Sequence, residues 1–78
     1  MTLAEKLKAI RTREELSQGG ICELLDVSLS TWKKYEASRF EMGFGAVCNV
    51  LQHPRFTKYT LWLMTSETAP EAGQVSPL

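Results

Sequence analysis

Three hydroxyl residues, Thr2, Ser17 and Ser28, each stand just ahead of a short run whose apolar positions recur every three or four residues. Helix amino ends look like this, because a side-chain oxygen there takes a backbone N–H that the first turn cannot pair. Thr2 with Glu5 fits a capping box, and Leu3, Leu7 and Ile10 predict a first helix running to about Glu14. Ser17 opens a second helix with Ile21, Leu24 and Leu25 on one face, and Ser28 opens a third with Trp32 and Tyr35 facing inward. Gly43 and Gly45 surround the start of a fourth, which carries Val47, Val50 and Leu51 and is stopped by Pro54. A fifth covers about residues 57–64, with Tyr59, Leu61, Trp62, Leu63 and Met64. No stretch alternates with period two for long enough to make a strand. The expected fold class is all-α, built from five short helices.

At 78 residues the chain is one domain at most, and a core this small excludes a large enzyme. Residues 1–67 are expected to form that domain. Residues 68–78, with Pro and Gly and little large apolar content, read as an extended or disordered tail. No apolar run approaches the ~20 residues of a membrane span, and no signal peptide is visible, so a cytoplasmic protein without a membrane is expected. Cys22 and Cys48 lie outside any CxxC pair, and His53 is the one histidine, so no metal site is expected. Both cysteines read as small buried hydrophobes. There are no paired carboxylates, no nucleophile–histidine arrangement and no phosphate loop. The chain is expected not to be an enzyme and to need no cofactor.

Net charge is zero, with nine basic and nine acidic residues. Taken alone, that argues mildly against a nucleic-acid partner. The distribution says more. Between Ser28 and Arg39 stand Lys33, Lys34 and Arg39 against the single acid Glu36.

The most informative stretch runs from Gln18 to Ala37. Two short helices that meet across a tight turn need a small residue at the point of approach, which Cys22 supplies. They need a residue tolerant of left-handed backbone at the turn, which Asp26 supplies. They need apolar residues facing inward, and Ile21, Leu25, Val27, Trp32 and Tyr35 supply these.

Leu16-Ser17-Gln18, Glu23 to Ser28, Ser30-Thr31 and Tyr35-Glu36, with the later Tyr59 to Glu67, resemble the helix-turn-helix family of the lambda repressor and Cro, also called the XRE family. The resemblance covers residues 3–67 and is especially close to small prophage-encoded repressors. Asp26 in place of Gly at the turn, Gly19-Gly20 at the start of helix two, and Trp32 in place of a small aliphatic residue depart from the family's pattern. The resemblance implies a five-helix lambda-repressor-like domain that regulates transcription by binding double-stranded DNA, with helix three in the major groove. It assigns base reading to Leu29, Ser30, Lys33 and Lys34, and a phosphate contact to Gln18. Gly19, Ser28, Thr31 and Arg39 complete the expected DNA face, with Lys6, Arg11 and Lys58 as weaker phosphate candidates.

The resemblance further implies a homodimer on a pseudo-palindromic operator. The interface is expected at Phe56, Tyr59, Leu61, Leu63 and Met64, whose aromatic density exceeds what one short helix needs to bury; the alternative is that they all pack inside one chain. A competing regulator or antirepressor is a further expected partner. The rival function is a protein-interaction module of the same fold, as in antitoxins.

Overall fold

The structure is a computed structural model and describes residues 1–39 and 41–78. It is helical, in the order α1 (Leu3–Arg13), α2 (Gln18–Leu25), α3 (Leu29–Glu36), α4 (Phe44–Leu51) and α5 (Thr60–Thr65). A 3-10 turn over Thr57–Tyr59 leads straight into α5, and another over Pro70–Ala72 follows it. The sequence boundaries therefore hold to within a residue or so for the first four helices, while the fifth begins as a 3-10 turn.

The capping and turn signals of the first three helices act where they were expected, while Leu24 is exposed and Cys48 only half-buried. The Glu5 N–H donates to Thr2 Oγ1 at 3.2 Å, and the Thr2 N–H donates back to Glu5 Oε1 at 2.8 Å. Ser17 accepts the Gly20 N–H at 2.9 Å and Ser28 accepts that of Thr31 at 3.2 Å. Asp26 ends α2 in the left-handed region, at φ 55° and ψ 49°. Both its N–H and that of Val27 reach the Cys22 carbonyl, closing the helix end. Cys22 is buried at this turn, with its Sγ 3.8 Å from the Ser28 carbonyl. Asn49 on α4 adds a link that sequence spacing does not show: its side-chain amide donates to the Leu25 carbonyl at 3.1 Å and caps α2 from outside.

The core gathers one stripe from each helix: Leu7 and Ile10, Ile21 and Leu25, Trp32, Val47 and Val50, then Phe56, Tyr59, Trp62 and Leu63. Trp32 lies at its centre, fully buried and edge-on to Tyr35 at 6.2 Å between ring centres. Phe56, Tyr59 and Leu63, expected at a dimer interface, are 0%, 2% and 5% exposed within the single chain. They fill the space beneath α1 and α4, so that expectation is corrected. Of the five interface candidates, only Met64 is well exposed, and Leu61 is half-buried.

The tail also departs from expectation. Ala69 and Gln74 pair in an antiparallel bridge, and the Val75 N–H donates to the Lys58 carbonyl at 2.9 Å. Gln74 holds the segment in place: its Oε1 accepts the Leu61 N–H at 3.0 Å and its Nε2 donates to the Thr57 carbonyl at 3.2 Å. An N–H in the first turn of α5 has no partner within the helix, and this glutamine supplies one. Residues 69–75 are thus neither extended nor free of the domain.

Candidate nucleic-acid interface

The turn at Asp26 sets α3 across α2, and the α3 cap then decides which residues face outward. With Trp32 locked inward, the 100° step of the helix turns Leu29, Ser30, Lys33 and Lys34 to the surface, and all of them are exposed. Gly19, Ser28 and Arg39 are exposed as well, while Gln18 and Thr31 are half-buried. Ser28 donates its hydroxyl to Thr31 Oγ1 at 2.7 Å while accepting the Thr31 N–H, so these two side chains are engaged in the cap of α3. Past the helix, Ser38 adopts a left-handed conformation at φ 57°, and the Arg39 N–H returns to the Lys34 carbonyl at 2.9 Å. That turn fixes where Arg39 leaves the helix.

At the start of α2, a Cβ on Gly20 would stand 3.2 Å from the Ser17 hydroxyl, whereas one on Gly19 would meet nothing nearer than 3.9 Å. Gly20 thus serves the tight fit of the cap, and Gly19 leaves bare backbone at the surface.

Beneath this surface lies a cluster that local spacing does not reveal. Glu36 is the one acid of the 28–39 stretch, and its side chain is only 5% exposed. Arg11 meets it with two bonds, Nε to Oε2 at 2.7 Å and an Nη to Oε1 at 3.0 Å. The Trp32 indole N–H donates to Oε2, and Gln18 Nε2 donates to Oε1 at 3.3 Å. One carboxylate therefore ties α1, the start of α2 and the core tryptophan to the end of α3. Burial works to raise the Glu36 pKa. The hydrogen bonds from Arg11 and Trp32, the Arg11 charge and the Gln18 amide outweigh it and hold the group below its ordinary value.

Two of the weaker phosphate candidates, Arg11 and Lys6, are corrected here, because both are engaged within the fold. Arg11 is held by Glu36 and also donates to the Leu16 carbonyl at 3.0 Å. Lys6 is 7% exposed, and its ammonium donates to the Trp62 and Leu63 carbonyls and to Ser66 Oγ, capping the carboxyl end of α5. Lys58 is partly exposed and pairs with Glu14 at 3.0 Å. Glu14 is a second hub: Tyr59 donates its hydroxyl to it at 2.6 Å and Arg55 its Nε at 3.1 Å. Burial again opposes ionisation of Glu14, and the bonds from Tyr59, Lys58 and Arg55 with the Lys58 charge again win, so its pKa also lies below the usual carboxylate value.

These two lowered pKa values set an acid limit. A carboxylate whose folded pKa is depressed contributes stability above its unfolded value, ~4.3 for Glu, and that contribution is lost as pH falls through the folded value. The melting temperature should therefore hold from neutral pH to about pH 5 and fall steeply below about pH 4. Thermal melts followed by circular dichroism across that range check this, and an unchanged midpoint at pH 3 would refute both pairings.

No family model matches the chain. Over 76 residues it is 42% identical to Repressor protein C of Escherichia phage P2, a match that covers 97% of this chain and 77% of that protein. The chain belongs to the family of that phage repressor. The match runs over nearly the whole length of the chain. Among its described residues, no helix is long and apolar enough to cross a membrane, and no group of three or more His, Cys, Asp or Glu residues could hold a metal ion.

Proposed function

We propose that this protein is a phage-type transcriptional repressor of the lambda-repressor-like helix-turn-helix kind. It would bind a pseudo-palindromic operator as a dimer and occlude a promoter. In this reading α2, the Asp26 turn and α3 form the DNA-binding unit, and α3 enters the major groove. Leu29 packs on a thymine methyl, Ser30 bonds base edges, and Lys33 and Lys34 donate to guanine O6 and N7 or to phosphate. Gln18, the backbone at Gly19, and Arg39 contact phosphates on either side. Ser28 and Thr31 act mainly by shaping the amino end of the helix. Two copies place their α3 helices about one DNA turn, ~34–36 Å, apart.

One observation supports this reading more than the others. The only acid on α3 is turned inward and neutralised by Arg11, so the charges that α3 and the turn after it present to solvent are Lys33, Lys34 and Arg39. A chain with zero net charge thus carries a basic face on the element that would enter DNA. The family relationship to a protein named a repressor supports it independently.

The test is binding to the duplex immediately upstream of the protein's own coding sequence, over a salt series. Tight, sequence-dependent binding with a steep salt slope is expected, and the protected length should show two half-sites. Ser30→Ala and Lys34→Ala should each weaken that binding about ten-fold, at ~1–3 kcal/mol per lost base contact, with little change in melting temperature. If both variants bind as the wild type does, α3 is not the reading surface. If no duplex is bound beyond non-specific levels, the protein-interaction role takes its place.

A further inference from the structure

The Glu36 cluster lies against a residue of the proposed DNA face, and the chemistry of that contact goes beyond fold maintenance. Gln18 Nε2 stands 3.3 Å from Glu36 Oε1. Which end of a glutamine amide is nitrogen must normally be assigned from its hydrogen-bond partners. Here the partner settles it. An ionised carboxylate only accepts, so the Gln18 end that meets it is the NH₂ group. That nitrogen has two hydrogens. One is committed to Glu36, and Gln18 itself is half-buried at the start of α2.

We infer that Glu36 is a positioning residue for DNA binding: it anchors the Gln18 amide so that the second N–H of the same nitrogen is presented to a DNA phosphate. The inference rests on the reading of Gln18 as a phosphate contact. The arrangement sets an amide between two anions, one from the protein and one from the DNA. It is tolerable because Arg11 faces Glu36 through two bonds and cancels its charge before the phosphate arrives. An anchored side chain also has less rotamer freedom left to lose on binding, which is how a buried carboxylate that never touches DNA would raise affinity.

The test separates this role from simple stabilisation. A phosphate contact carries no sequence information, so mixed-sequence duplex DNA at low ionic strength is a sufficient probe. Gln18→Ala is measured in the wild type and again with the ion pair replaced by apolar residues, Arg11→Met with Glu36→Met, and the melting temperature of every variant is recorded. In the wild type, Gln18→Ala should weaken binding about ten-fold, as expected for a hydrogen bond to a charged group. In the replaced background the same substitution should cost only about two-fold, because an unanchored glutamine contributes little; such non-additivity is the signature of coupled residues. A purely structural Glu36 would move melting temperatures and leave the Gln18 effect unchanged, and that result overturns the inference alone. If Gln18→Ala binds as the wild type does, the phosphate assignment of Gln18 falls, and the inference with it.

A second measurement needs no variant to fold. In the nuclear magnetic resonance spectrum of the free wild-type protein, the Gln18 side-chain proton bonded to Glu36 should be shifted away from its free-glutamine position and exchange slowly with water. Signals at the positions of a free glutamine would overturn the anchoring.

Discussion

Trp32→Ala is expected to leave the chain largely unfolded at 37 °C. Trp32 is 0% exposed and lies where α1, α2 and α3 converge. Truncating a buried aromatic of this kind costs ~3–5 kcal/mol, because the space left behind cannot fully collapse. The total stability of a domain this small is itself only ~0.05–0.15 kcal/mol per residue, so one substitution removes a large share of it. A second loss adds to the cavity. The indole N–H is one of the donors that holds Glu36 ionised below the core, and alanine takes it away. Trp32→Phe comes closer to that part alone: it keeps most of the ring volume while removing the donor, and should cost ~1–3 kcal/mol. Urea unfolding followed by circular dichroism reads both variants. A folded Trp32→Ala protein that has lost DNA binding would instead mean that this side chain faces the DNA.

Trp32 also shows what the sequence could and could not reveal. Its inward position follows from helical spacing after Ser28, as do the capping residues, the left-handed Asp26 and the small Cys22. Each is a local requirement of backbone geometry, met by a residue a few positions away. The charge partner of Glu36 and the partners of Lys6 are not local. Arg11 and Glu36 are 25 residues apart, and Lys6 and Trp62 are 56 apart. No period relates such residues; they meet only because the helices cross. For that reason Arg11 and Lys6 look like surface cations in the sequence and are not, and Glu36, which the sequence marks only as the one acid of its stretch and as part of the family's string, becomes the hub of the cluster. The aromatics around α5 fail in another way. Apolar density says that Phe56 and Tyr59 must be covered, and it does not say by what; in the fold, the same chain covers them. Gln74 is the last case, because a polar residue in a Pro- and Gly-bearing segment carries no visible sign that two backbone groups of α5 and its lead-in turn await it. The exposed face of α3 is more legible, since it needs only the helix register that Trp32 fixes.

Arg11→Ala should be the most damaging polar substitution, for a reason distinct from the strength of the pair it breaks. It leaves the Glu36 carboxylate, 5% exposed, without its counter-charge, and orphaning one member of a buried ion pair costs ~3–5 kcal/mol. The Leu16 carbonyl loses its donor at the same time. Replacing both partners, Arg11→Met with Glu36→Met, removes the need along with the supply, and should therefore be far less destabilising than Arg11→Ala alone. The two variants should also differ in their response to acid. Without Arg11, burial of Glu36 is opposed only by Trp32 and Gln18, so its folded pKa rises and the carboxyl takes up a proton more readily. A neutral carboxyl needs no counter-charge, so the stability gap between wild type and Arg11→Ala should narrow as pH falls from 7 toward 4. A gap that stays constant over that range would mean that Arg11 acts through packing rather than charge. The doubly replaced protein, folded but without its carboxylate, then separates two roles of Glu36 that coincide in the wild type: joining α1 to α3, and holding the Gln18 amide at the surface where DNA would arrive.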